Sequence, residues 1–202
     1  MNIFLSWSGK RSHLAAKTFE EWLPVLFNGG LNIYLSSSMN KGVPWAVALD
    51  EALEKADFAI LCVTRENRAA PWLMYEAGVL SQTAGVKNVA PFLLNMGASE
   101  LQSPVTRSQL TVFEREDLER LFLTINQFLT GSYHVPTEVL KTRFHMSYEL
   151  FETRLQEALD FQDEDGEEDI SRKTLAGVEQ LLDISKHTLL KDITSDRTKR
   201  LW

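Results

Sequence analysis

The stretch Asp57–Val63, with the sequence DFAILCV, is the most apolar strand that the sequence predicts, and it decides the fold. After Asp57 none of its residues carries a charge. A strand without alternating polar residues is typical of the centre of a parallel sheet, where both faces are covered. The stretch therefore predicts a buried parallel strand whose neighbours lie elsewhere in the chain.

Four more strands and several helices alternate around this central strand over the first 130 residues. The other apolar runs predict strands at Asn2–Trp7, Leu31–Leu35, Val89–Leu94 and Gln109–Phe113. Between them, apolar residues at steps of three and four predict helices. The apolar positions are Ala15, Phe19, Trp22 and Leu26 in the first, Trp45, Leu49 and Leu53 in the second, and Leu118, Leu121, Phe122, Ile125 and Leu129 in the last; another helix is predicted over Trp72–Thr83. Gly29 and Gly30 are suited to a left-handed cap that ends the first helix.

Five strand-and-helix units with short connections predict an α/β fold. We expect a flavodoxin-like five-stranded parallel sheet flanked by helices, in the order 2-1-3-4-5, the commonest solution for five strands. The alternation of predicted strands and helices ends at Gly131, and this change predicts a domain over 1–131 and a helical extension over 132–202. In the extension, Pro136–Leu159 is a predicted helix whose inward residues are Val139, Leu140, Phe144, Leu150, Phe151 and Leu155. A linker near 160–170 and an amphipathic helix over Thr174–Ile193 follow it.

Composition excludes several classes of protein. The chain has 202 residues, 44% of them apolar, and a net charge of −7. Seven of its 28 acidic residues fall within Asp160–Asp169, so the rest of the chain has no net charge. This lack of surplus positive charge argues against a basic nucleic-acid-binding domain. Cys62 is the single cysteine, which excludes a disulfide framework. No targeting segment or apolar run of about 20 residues is visible, so we expect a cytoplasmic protein without a membrane anchor. The four histidines show no ligand spacing, and no metal site is predicted.

The candidate site follows from the strand order. Ligands of open α/β sheets bind beyond the carboxyl ends of the strands where the order reverses, here between strands one and three. Strand one leads into Ser8, Gly9 and Lys10, with Trp7 at the strand's end, and strand three leads towards Pro71–Glu76. The chain has no GxGxxG and no GxxxxGK[ST] motif, which excludes an ordinary dinucleotide-binding or P-loop site.

Four sequence stretches resemble the bacterial TIR (Toll/interleukin-1 receptor) domain. They are IFLSWSG from Ile3, Gly42-Val43-Pro44-Trp45, ADFAILCVT from Ala56 and PWLMYEAG from Pro71. In order, they cover the chain from Asn2 to about Leu129. The pattern Trp72-x-x-x-Glu76 is similar to the signature of family members that cleave NAD+.

The resemblance implies an enzyme that cleaves the bond between nicotinamide and ribose in NAD+. Glu76 would stabilise the positive charge that develops on the ribose, and Trp7, Ser8, Gly9, Lys10, Trp45 and Trp72 would contact the substrate. NAD+ is then the substrate, and no cofactor is implied. The loop Ser36–Pro44 corresponds to the family's BB loop, which caps the cleft and mediates self-association. Family analogy also implies a role in bacterial antiphage defence with a partner sensor or effector protein.

Other interpretations of the same residues stay open. Glu76 is also compatible with a surface acid near a helix start, stabilised by the macrodipole. Trp45 and Trp72 are compatible with core positions, and Ser8, Gly9 and Lys10 with an ordinary helix-start turn. The alternatives for the whole chain are a non-enzymatic TIR scaffold and a nucleoside deoxyribosyltransferase-like enzyme, whose family shares the flavodoxin-like fold and a ribose-directed glutamate.

Overall fold

A computed structural model describes residues 1–35, 55–69, 88–101 and 109–161, and these contain a five-stranded sheet. All neighbouring strands run parallel, in the order β2-β1-β3-β4-β5. The strands are β1 (Asn2–Ser6), β2 (Asn32–Leu35), β3 (Phe58–Val63), β4 (Val89–Leu93) and β5 (Thr111–Val112). The predicted fold class and strand order are confirmed, and all five strands are one to three residues shorter than predicted.

Strand β3 is the buried centre of the sheet, as its sequence predicts. Every one of its six residues is buried. Its register against β1 pairs Ile3 with Phe58 and Leu5 with Ile60, so side chains of the two strands stack in rows on each face. Because residues on both faces are buried, the strand has no solvated side, which explains its lack of polar alternation.

Three helices lie among the described residues: α1 (Lys10–Leu26), α2 (Arg115–Gln127) and α3 (Thr137–Asp160). The predicted inward residues of α1 are all buried: Ala15, Phe19, Trp22 and Leu26. Helix α3 runs antiparallel along α1. Its Arg143 guanidinium donates to the Leu26 carbonyl at 2.9 Å, and Phe161, just past its end, receives a hydrogen bond from Arg11 at the start of α1. The end of α3 therefore lies at the same edge of the sheet as the end of β1.

An aromatic cluster joins the three helices to the sheet. The Phe151 ring stacks on Trp22 with centroids 3.8 Å apart, and Phe122 meets both rings edge-on. Phe19 connects Phe151 to Phe92 of β4, at 5.4 and 5.0 Å. Helix α3 thus shares one hydrophobic core with the sheet. The division into residues 1–131 and 132–202 stays a prediction.

The prediction that Val139 and Leu150 of α3 face inward is wrong. Val139 is 42% exposed and Leu150 is 65% exposed. The buried residues of this helix are Leu140, Phe144, Tyr148, Phe151, Leu155 and Ala158. At about 100° per residue these six lie within one narrow stripe, whereas Val139 and Leu150 fall on the opposite side of the helix.

The ends of two helices also differ from the prediction. Helix α1 ends at Leu26, the next residue Phe27 has an extended backbone, and the left-handed Gly29 and Gly30 lie in the turn that leads to β2. Gly30 has φ +74°, and a Cβ there would lie 2.5 Å from the Tyr133 ring, so both the conformation and the space require glycine. Leu129 is buried as predicted, but it follows the end of α2 at Gln127.

Several predicted elements fall outside the described residues. These are the loop Ser36–Pro44, the helix predicted over Trp45–Lys55 apart from Lys55, the helix Trp72–Thr83, nearly all of the acidic linker and the helix Thr174–Ile193. Within the described ranges, no helix is both long and apolar enough to cross a membrane.

Candidate functional site

The candidate site lies where the strand order reverses. Strand β1 pairs with β2 on one side and with β3 on the other, and Ser6 is in register with Leu61 of β3. The loops that follow β1 and β3 therefore leave the sheet side by side at its carboxyl edge. This is the position at which open α/β sheets bind ligands.

The loop after β1 contains four of the predicted site residues. The Trp7 ring stacks on His13 with centroids 4.0 Å apart and planes at 25°. Ser8 and Gly9 are buried, whereas Lys10 is exposed and holds its ammonium nitrogen 5.9 Å from the centre of the Phe161 ring. The structure thus brings together Trp7, Ser8, Gly9 and Lys10, and within this group Lys10 presents its charge at the surface.

Ser12 holds the turn into α1 in a fixed shape. The Ser8 N–H donates to the Ser12 hydroxyl at 2.9 Å, and that hydroxyl is also within hydrogen-bond distance of the Gly9 carbonyl, at 3.1 Å. Gly9 has φ +82°, a left-handed conformation that favours glycine, and its carbonyl accepts the His13 N–H at 3.0 Å. These bonds fix the direction in which α1 starts. The predicted substrate contacts of Ser8 and Gly9 stay predictions.

The loop after β3 is fastened to the first loop by Asn67. This side chain is fully buried, and its amide nitrogen donates to the Ser8 and Cys62 carbonyls, each at 3.1 Å. Its carbonyl oxygen accepts the Thr64 N–H at 2.7 Å. Asn67 is not among the residues that the sequence pattern singles out. The one available signal was an asparagine in a turn, which does not reveal a partner 59 residues away.

Charged side chains form a network beside these loops. Arg11 at the start of α1 pairs with Glu66, whose carboxylate also accepts the Asn95 side-chain amide at 3.2 Å. Arg65 makes two hydrogen bonds of 2.9 Å to Glu100. Arg68 also pairs with Glu100, at 3.6 Å, so the network holds three arginines and two glutamates.

Glu66 is ionised at neutral pH. Burial alone would raise the pKa of its carboxyl, but hydrogen bonds from its own backbone and the Thr64 hydroxyl, the Arg11 charge and the Asn95 amide together lower the pKa. Glu66 is therefore a carboxylate at this edge that the sequence pattern does not single out.

Burial raises the pKa of the Cys62 thiol far above neutral, so this cysteine stays protonated within β3.

We expect Glu66→Gln to lower stability at neutral pH and to have little effect in acid. The depressed pKa means that the ionised form stabilises the fold above the ordinary value of 4.5 and that this contribution disappears as the pH falls through the folded-state pKa. Because the side chain is 44% exposed, the difference from wild type at pH 7 should be below about 1 kcal/mol. Urea denaturation of both proteins at pH 7 and pH 3 measures it. A difference that stays constant between the two pH values would contradict the assignment.

Three predicted site residues, Trp45, Trp72 and Glu76, lie outside the described residues. Within the described ranges, no group of three or more His, Cys, Asp or Glu side chains is placed to hold a metal ion.

A cavity of about 470 Å³ lies at the opposite edge of the sheet. It is lined by the amino-terminal ends of β3, β4 and β5 and by residues of α2, among them Asp117 and Arg120. Asp117 accepts the Val112 N–H at 2.9 Å and pairs with Arg120 at 3.0 Å, so these groups are used within the fold. The cavity is separate from the crevice between β1 and β3.

Comparison with known proteins finds a likeness among solved structures. No protein-family model matches the chain. No curated protein matches it either. Among solved structures, it is similar to the TIR domains of the activated Roq1 resistosome directly recognizing the pathogen effector XopQ, at 12% identity and a TM-score of 0.36, over 89% of this chain and 98% of that one. The fold assignment given above rests on the strand order.

Proposed function

We propose that the chain is a TIR-type NAD+ glycohydrolase or cyclase, which releases nicotinamide and forms ADP-ribose or a cyclic ADP-ribose isomer. The observation that carries the proposal is the pattern Trp72-x-x-x-Glu76 in a chain whose sheet has the order 2-1-3-4-5. NAD+ is the substrate of this reaction, and no resident cofactor takes part.

The chemistry requires one well-placed carboxylate. When the bond between the ribose C1′ and the nicotinamide nitrogen breaks, the electron pair leaves with neutral nicotinamide and positive charge develops on the ribose. The Glu76 carboxylate stabilises that charge, as carboxylates do in glycoside hydrolysis. Water then adds to C1′ and loses a proton, which gives ADP-ribose; attack by a nitrogen or hydroxyl of the same molecule gives a cyclic isomer. Nicotinamide is a good leaving group, so no general acid is needed.

The loop after β1 and the start of α1 support binding of a dinucleotide diphosphate. Lys10 is exposed at the start of α1, and the first turn of that helix carries no acidic residue. The positive end of the helix dipole and the Lys10 ammonium both favour a negatively charged group nearby. Trp7 of the same loop stacks flat on His13 of α1, and this pair of rings is suited to contact with an aromatic base.

Self-association and a defence role belong to the same proposal. Resemblance to TIR enzymes supports assembly through TIR–TIR contacts that involve the loop Ser36–Pro44, and a partner sensor or effector protein that controls the activity. On this basis we place the protein in bacterial antiphage defence.

Incubation of the purified protein with NAD+ and, separately, with deoxyribonucleosides and a free base tests the proposed substrate class. We expect nicotinamide and one ADP-ribose product from NAD+, separated by liquid chromatography, and no base exchange with the nucleosides. Base exchange without NAD+ cleavage would replace the proposal with a deoxyribosyltransferase. TIR–TIR binding by a protein that is inactive on both substrates even when assembled would replace it with a scaffold.

A further inference from the structure

Asn67 is a fully buried side chain that ties the two loops of the crevice to each other across the sheet edge. It is 0% exposed, and both amide hydrogens and the carbonyl oxygen are used. Two of these bonds close the turn after β3, to the Cys62 carbonyl and the Thr64 N–H. The third reaches the Ser8 carbonyl in the loop after β1.

Ser12 and Asn67 both hold the loop after β1, with different effects, and the partly exposed Arg11–Glu66 pair joins the start of α1 to the loop after β3 beside them. Ser12 lies four residues further along the same segment, so its bonds to Ser8 and Gly9 fix the shape of the turn. Asn67 comes from the loop after β3, so its bond to Ser8 fixes where that turn lies relative to β3. Loss of Asn67 would leave the shape in place and remove the buried bond that sets the position, and the partly exposed Arg11–Glu66 pair would be the weaker support that remains.

We infer that Asn67 is a positioning residue, which sets the separation of the two loops and thereby the affinity of the crevice for NAD+. The inference rests on the proposed function for the identity of the ligand. Because Asn67 is fully buried, it acts through the Ser8–Lys10 loop and does not itself contact substrate. Lys10 would bind the diphosphate, which is remote from the bond that breaks and is held equally in the ground state and the transition state. Misplacing it therefore raises KM and leaves kcat nearly unchanged.

Asn126 provides a matched control in the same chain. It is 2% exposed, and its side-chain amide makes two hydrogen bonds, to the Val135 N–H at 3.0 Å and the Val135 carbonyl at 2.7 Å. Asn126 lies near the end of α2 and holds the segment that leads to α3, away from the crevice. Asn67→Ala and Asn126→Ala thus remove the same kind of buried amide from two different places.

Hydrogen exchange followed by mass spectrometry, together with NAD+ kinetics, tests the inference. For Asn67→Ala we expect exchange of the amides in residues 7–10 to rise at least about tenfold, and KM for NAD+ to rise about tenfold with kcat within about threefold of wild type. For Asn126→Ala we expect faster exchange around Val135 and no change in residues 7–10 or in KM. If Asn67→Ala does not fold, Asn67→Asp replaces it in the comparison. The aspartate keeps the shape of the side chain and its acceptor oxygen, and it loses both N–H donors of the amide.

Each outcome decides the inference. Unchanged exchange in residues 7–10, an unchanged KM despite faster exchange, or an equal rise in KM in Asn126→Ala would overturn it. If the wild-type protein neither binds nor cleaves NAD+, the proposed function is wrong and the inferred effect on NAD+ affinity is overturned. Exchange in residues 7–10 then decides separately whether Asn67 positions this loop.

Discussion

Replacing Phe151 by alanine is expected to lower the free energy of unfolding by about 3–5 kcal/mol. The side chain is 1% exposed and lies at the centre of the aromatic cluster, stacked on Trp22 and edge-on to Phe19 and Phe122. Its removal loses the burial of a large ring and leaves a cavity among rigid neighbours that cannot close around it. Urea denaturation followed by circular dichroism measures the change.

Leu150→Ala is the control, one residue earlier in the same helix. Leu150 is 65% exposed, so we expect a change within about 0.5 kcal/mol. The pair tests which side of α3 faces the core, where the sequence prediction placed both residues inward. Equal destabilisation by the two substitutions would mean that α3 does not pack as described.

The central strand and the first helix were predictable because their burial pattern is unambiguous. Phe58–Val63 lacks polar residues, so it fits only a position covered on both faces. Helix α1 has one apolar stripe, of which Phe19 and Trp22 are part, and a polar opposite side. In both segments the local pattern and the tertiary environment agree, so no knowledge of distant contacts was needed.

Helix α3 was harder because it carries apolar residues on two sides. Val139, Met146 and Leu150 lie opposite the buried stripe and are all exposed. The choice between the two sides depends on contacts with α1 and α2, which come from more than 100 and about 30 residues earlier in the chain. Tyr148 reaches the buried side with its hydroxyl bonded to Glu152, a contact that a hydrophobic pattern does not reveal.

In the candidate site too, local sequence pattern predicts some residues, and contacts between distant parts of the chain determine the others. Trp7 and Lys10 follow directly from the end of β1, where the strand order predicts them, and their contacts with substrate stay predictions. Asn67 could not be found, because its role depends on the approach of Ser8, which is distant in sequence and near in space. The same holds for Glu66, whose ionisation depends in part on Arg11.

The second large effect concerns Glu76. We expect Glu76→Gln to reduce the rate of nicotinamide release at least about 1,000-fold, because a neutral amide cannot stabilise the positive charge on the ribose as a carboxylate does. Folding should be unaffected, since neither size nor shape changes. Glu138→Gln is the control: it makes the same change of charge at the start of α3, next to the end of α1 and away from the crevice, and should retain wild-type activity.

The most direct measurement is the rate of nicotinamide release from NAD+ by wild type, Glu76→Gln and Glu138→Gln. All three would be assayed by liquid chromatography at high protein concentration with a crowding agent, so that self-association does not limit activity. We predict release by wild type and Glu138→Gln and none above background by Glu76→Gln. Equal release by all three proteins would contradict the assignment of Glu76 as the catalytic carboxylate.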